Sequence, residues 1–115
     1  MQVYDEASAL AAAIRESDVC REYRRLKEEV EGNETNRALI REYKKLQMQL
    51  QMAAVTGASS PEEDGRRFQQ IGALLFAQPA VSRFLLCEMR LQQMMADIYK
   101  ILGDAAGLEL PGVSG

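Results

Sequence analysis

No histidine and no tryptophan occur in the 115 residues, and proline, cysteine and aromatics are scarce: three Pro, two Cys, four Tyr and three Phe. Without histidine the chain lacks the commonest general base and the commonest metal ligand. No Cys-x-x-Cys pair is present, so a conventional zinc site has no framework. Cys20 and Cys87 stand far apart in sequence. A single disulfide between them is conceivable, but nothing suggests secretion, and both are read as free thiols that pack as small apolar residues. Gly103 and Gly107 are too sparse to form a phosphate-cradling loop. Ser59 and Ser60 have no base to activate them and suit a capping role. The longest apolar runs, residues 9–14 and 73–77, are too short to cross a bilayer. The opening MQVYDEASAL carries acids where a signal peptide needs basic residues. The expectation is a cytoplasmic protein with no membrane insertion, no enzymatic activity, no metal and no cofactor.

What is plentiful is helix-forming: Ala, Leu, Glu, Gln, Arg and Met, residues that lose little side-chain entropy in a helix. The composition, 47% hydrophobic and 27% charged, is that of a folded domain rather than a disordered chain. Net charge is -3, so the chain as a whole has no electrostatic pull toward nucleic acid or anionic lipid. Lys and Arg nearly balance Asp and Glu between positions 15 and 45, and acids predominate elsewhere.

Spacing and punctuation predict five helices. Val3, Ala7, Leu10 and Ile14 recur at helical steps. Ser17 can cap a second helix bearing Val19, Tyr23, Leu26 and Val30. Gly32-Asn33 closes that helix, and Asn33 can cap a third with the stripe Leu39, Tyr43, Leu46 and Leu50, which ends at Gly57. Ser60-Pro61-Glu62-Glu63 reads as a capping box with proline at the first helical position. Phe68, Ile71 and Leu75 mark the fourth helix, and Gln78-Pro79 breaks it and starts the fifth. Two corners share one spacing, Ile14, Ser17, Cys20, Tyr23, Leu26 and Leu75, Gln78, Val81, Phe84, Cys87, and read as similar helix–turn–helix joints. The expected fold is all-α: about five helices, two of them long, in an antiparallel helical bundle that dimerises. Residues 1–106 form a single helical domain and residues 107–115 a flexible C-terminal tail.

The fifth helix has two adjacent apolar seams that meet at Leu91 and Ile98. A face so wide exceeds what one short neighbouring helix covers. Either the helices bundle tightly within one chain or a second chain covers the excess, and the second is expected. The expected protein interface is Glu88, Leu91, Met94, Met95, Ile98 and Leu102. Glu88 interrupts the seam and can fix register with a partner, pair with an arginine, or turn to the rim. Six methionines suit either an adaptable contact surface or gap-filling core. The basic stripe Arg37, Arg41, Lys44 and Lys45, joined by Arg21, Arg24 and Arg25, has acids within one helical turn and reads as a salt-bridged, solvated face. As an RNA surface it would need exposed aromatics beside it. Tyr23 and Tyr43 fall on the apolar stripes instead. No direct nucleic-acid binding is expected.

Taken in order, Tyr4-Asp5, Ile14-x-Glu16-Ser17, Tyr23-x-x-Leu26, Ile40-x-x-Tyr43-x-x-Leu46-Gln47, the Gly57 loop, Pro79-x-Val81-x-x-Phe84-Leu85, Leu91 and Asp97-Ile98 resemble the YlbF/YmcA family of small helical bacterial regulators. The resemblance covers residues 3–106. It departs at Gln78, where the family commonly has asparagine, and at Cys20, where a charged or small residue is usual. It implies a helical protein without enzymatic activity that self-associates, as a dimer, or pairs with related family members. It further implies links to competence, sporulation and biofilm control and to ribonuclease-associated proteins that modulate messenger RNA maturation. Iron–sulfur clusters have been associated with such complexes. Two isolated cysteines fall short of the four ligands such clusters usually take, so a shared cluster would need thiols from another subunit.

Overall fold

The computed structural model describes residues 2–57 and 61–108, and these are helical nearly throughout, with no strand among them. Five helices follow in order: α1 (Gln2–Glu16), α2 (Asp18–Glu31), α3 (Glu34–Thr56), α4 (Glu62–Phe76) and α5 (Pro79–Ala106). The all-α expectation and the number of helices hold.

The boundaries fall where local chemistry puts them. The Ser17 hydroxyl accepts from the Cys20 amide at 3.2 Å and donates to the Ile14 carbonyl at 2.7 Å, so one side chain ends α1 and starts α2. Asn33 accepts from the Asn36 amide at 3.0 Å and caps α3. Gly57, with φ of 74°, terminates that helix. At the far end of α5, Gly107 takes φ of 72°, and the Leu108 and Gly107 amides donate back to the Gly103 and Asp104 carbonyls. That pair of bonds is the Schellman closure, which a residue with a Cβ enters only under strain. The start of α4 differs from expectation by one residue. Pro61 stands as the extended cap, with φ −59° and ψ 136°, and its carbonyl accepts from the Asp64 amide, so the helix opens at Glu62. The Ser60 cap itself lies outside the described residues, as does the tail from residue 109 onward.

By its packing the chain divides into two units. Residues 26–84 form one, and residues 1–25 with 85–115 form the other. The first unit is organised around α3 and α4, which pack along each other. Its core contains Leu26, Val30, Ile40, Leu46, Ile71, Leu75, Val81 and Phe84, all buried. Tyr43 stacks on Phe68 with ring centroids 4.6 Å apart and meets Phe76 edge-on at 5.9 Å. Gly72 makes room for that cluster, because a Cβ there would lie 3.3 Å from Tyr43 Cε1. The second unit holds α1, the start of α2 and most of α5; among its described residues only Leu85 and Cys87 are buried apolar side chains. No single helix among the described residues is long and apolar enough to cross a membrane.

Candidate functional site

The stripe Val3, Ala7, Leu10 and Ile14 exists on α1, but α1 buries no residue at all. Val3 is 70% exposed and Tyr4 69%. These side chains instead form one wall of an open cleft of about 540 Å³. Val3, Ala7, Leu10, Ala11 and Ile14 of α1 face Met95, Ile98, Tyr99 and Leu102 of α5 across it, and among the described residues Glu6 is its one charged lining side chain. Such a cleft between two helices has the form of a helix-binding groove: apolar, elongated and open to solvent along its length.

The expected interface residues divide between this cleft and the stretch of α5 that precedes it. Met95, Ile98 and Leu102 line it. Leu91 and Met94 are half-buried and precede Met95 on α5, Met94 directly and Leu91 by about one turn. Glu88 is half-buried and accepts from the Tyr23 hydroxyl at 3.4 Å, within the same unit. Burial fades along α5, from Val81, Phe84, Leu85 and Cys87, which are buried, to Ile101 and Leu102, which are 65% and 47% exposed. The seams therefore run from core into open surface on one helix.

Beside Glu88 lies the thiol pair's neighbourhood. Cys87 donates weakly to the Val19 carbonyl at 3.5 Å and is buried. Burial pushes its thiol up from the ordinary range, and Glu22 adds to the rise, which Arg90 and Arg25 only partly offset. It is thus a protonated thiol at neutral pH, poorly suited to nucleophilic work. Half-buried Cys20 accepts from the Arg24 guanidinium at 3.3 Å, and a second Arg24 nitrogen donates to the Arg15 carbonyl at 2.8 Å, which ties the end of α1 to α2. Among the described residues no group of three or more Cys, Asp or Glu side chains is placed to hold a metal ion.

The basic stripe is partly internally compensated. Arg37 lies 3.8 Å from Glu34, and the Lys44 ammonium sits over the Phe84 ring at 5.8 Å. Arg67 of α4 binds Glu42 of α3 through two parallel bonds of 2.9 and 3.2 Å. The bonded Arg67 guanidinium holds the Glu42 carboxyl below the usual range. That pair borders a polar recess lined by Leu46, Glu63, Asp64, Arg66 and Gln70.

One arrangement escaped the sequence reading. Asn36 is buried and exchanges two side-chain bonds with Gln78, at 2.9 and 2.8 Å. The signal was present: positions 36, 40 and 43 are in helical phase, so Asn36 extends the apolar stripe of α3 with an amide. A buried amide demands a partner. Gln78, at the α4–α5 break, supplies it.

Comparison with known proteins places the chain among relatives. Residues 3–105 match a family described as control of competence regulator ComK, YlbF/YmcA. A UPF0342 protein of Symbiobacterium thermophilum is 28% identical over 109 residues, covering 95% of this chain and 97% of its own. Another, from Caldicellulosiruptor bescii, is 32% identical over 103 residues, covering 90% and 87%. Among solved structures, a DUF964 protein of unknown function from Bacillus stearothermophilus superposes with a TM-score of 0.71 at 20% identity, covering 93% and 94%. Bacillus subtilis RicA, solved in complex with RicF, superposes with a TM-score of 0.60 at 24% identity, covering 92% and 94%. Both likenesses concern the fold.

Proposed function

The chain belongs to the YlbF/YmcA family, and from that membership and the open apolar cleft we propose that it is a non-enzymatic regulatory adaptor acting through protein–protein contacts. Its place is the control of RNA processing and of developmental states such as competence, sporulation and biofilm formation. The observation that carries the reading is the cleft between α1 and α5, where Val3, Leu10, Ile98 and Leu102 offer apolar side chains to solvent along two helices. Cover for an exposed apolar face of this kind is what a helical partner supplies. The description of the family as controlling ComK, and the RicA structure solved together with RicF, support regulation through partners. The partners proposed are this chain itself, related family members and ribonuclease-associated proteins.

The chain's chemistry points the same way. It has no histidine, its buried thiol is protonated at neutral pH, and its net charge is -3. Regulation would therefore come from bringing proteins together, with neither hydrolysis nor direct grip on nucleic acid. Affinity capture of the tagged chain from its native bacterium, compared with a cleft variant such as Ala11→Glu, tests this. Recovery of family relatives or ribonuclease machinery with the wild-type chain, lost with the variant, is expected. Capture of none of these by the wild-type chain would sink the adaptor reading.

A further inference from the structure

We propose that Cys20 and Cys87 are a redox-responsive pair: a peroxide closes them into a disulfide between α2 and α5, which releases the end of α1 from α2. Two contacts lay α2 along α5 within the unit that holds α1, the start of α2 and most of α5. The Cys87 thiol donates to the Val19 carbonyl at 3.5 Å, and the Tyr23 hydroxyl donates to Glu88 at 3.4 Å. Cys20 follows Val19 directly and stands one turn before Tyr23, on the stretch of α2 that both contacts hold against α5. Standard peptide dimensions then bring the Cys20 Cα to within about 6.5 Å of the Cys87 sulfur. Closure needs the Cys20 side chain to turn from Arg24 toward α5. Besides burial and Glu22, a charge on Cys20 raises the Cys87 thiol, so the two sulfurs are within electrostatic reach of each other.

Unequal exposure gives the thiols different parts. Cys20 is half-buried, whereas Cys87 is only 3% exposed, so peroxide meets the Cys20 sulfur first. That sulfur attacks the O–O bond and takes one oxygen as sulfenic acid, and the other oxygen leaves as water with the thiol proton. The Cys87 sulfur then attacks the Cys20 sulfur. The S–S bond forms, the S–O bond breaks, and the hydroxyl departs as water with the Cys87 proton. Two thiols thereby lose two electrons and two protons, and one peroxide becomes two waters. The buried Cys87 holds its proton tightly, which makes closure the slower step. The bond reaches α1 through Arg24. One guanidinium nitrogen donates to the Cys20 sulfur at 3.3 Å and the other to the Arg15 carbonyl at 2.8 Å. A disulfide draws that sulfur away from Arg24 and loosens the joint between α1 and α2, whatever partner fills the cleft.

The reduced full chain treated with hydrogen peroxide and analysed by mass spectrometry tests this. Single chains lighter by two hydrogens are expected, with a Cys20–Cys87 cross-linked peptide that dithiothreitol removes. Dimedone added early should label Cys20 as its sulfenic acid and leave Cys87 unlabelled. Cys87→Ala should keep that label and lose the cross-link. Hydrogen exchange at residues 14–17 should be faster in the cross-linked chain than in the reduced one. A cross-link joining two chains overturns the proposal. So does over-oxidation of Cys20 with Cys87 still open to alkylation in denaturant, or dimedone on Cys87. Equal exchange at residues 14–17 in the two forms overturns the release of α1. The wild-type measurements decide the matter even where the Cys87→Ala chain fails to fold.

Discussion

Asn36 and Gln78 illustrate how one residue pair adds a directional lock to a core of apolar contacts. Apolar contacts in the residue 26–84 core are non-directional, whereas two reciprocal amide bonds fix both distance and direction. With both partners present no buried side-chain nitrogen or oxygen among the described residues is left unsatisfied. Removing one partner strands the other, and a buried unpaired amide costs about 1–3 kcal/mol. Gln78→Ala and Asn36→Ala should therefore each lower unfolding free energy by that amount in urea titrations. The double variant should lose clearly less than the sum of the two, because the second truncation removes a group already unpaired. Additive losses would mean that the amides act independently and that the pair is no lock.

Helices in this chain are delimited by single side chains, and their boundaries were the most legible feature of the sequence. Ser17, Asn33, Gly57 and Pro79 each punctuate where their chemistry predicts. Asn33 bonds one of the free amides at the start of α3, so Asn33→Ala should destabilise the fold by about 1 kcal/mol. Asn33→Asp should retain most of the cap, and thermal denaturation of the two variants checks both expectations. A loss equal in both would indicate that Asn33 acts by something other than its side-chain oxygen. The stripes were legible too, but not what covers them. A period of 3.6 shows that Val3, Ala7, Leu10 and Ile14 share a face, and it shows the same for Ile40, Tyr43 and Leu46. It does not distinguish a face buried in its own chain from one left open. Ile40 and Leu46 are buried while Val3 is exposed, a difference set by tertiary neighbours that no local pattern encodes. The Asn36 amide was missed for the converse reason: a polar residue in phase with a core stripe was passed over because its partner lies at Gln78, on the far side of α4 in sequence.

At the scale of the whole molecule the core is unevenly shared, and stability should be shared accordingly. Among the described residues, eight of the ten buried apolar side chains lie between positions 26 and 84, and only Leu85 and Cys87 lie in the other unit. Burial contributes roughly 25 cal/mol per Å² of apolar surface, so α3 and α4 draw on a packed interior that α1 lacks. Local opening therefore requires little free energy in α1 and the last turns of α5, and close to the global value in α3 and α4. Hydrogen exchange should show α1 amides exchanging first and those around Ile40, Leu46 and Ile71 last. Uniform protection along the chain would show that α1 is held as firmly as α3 and α4.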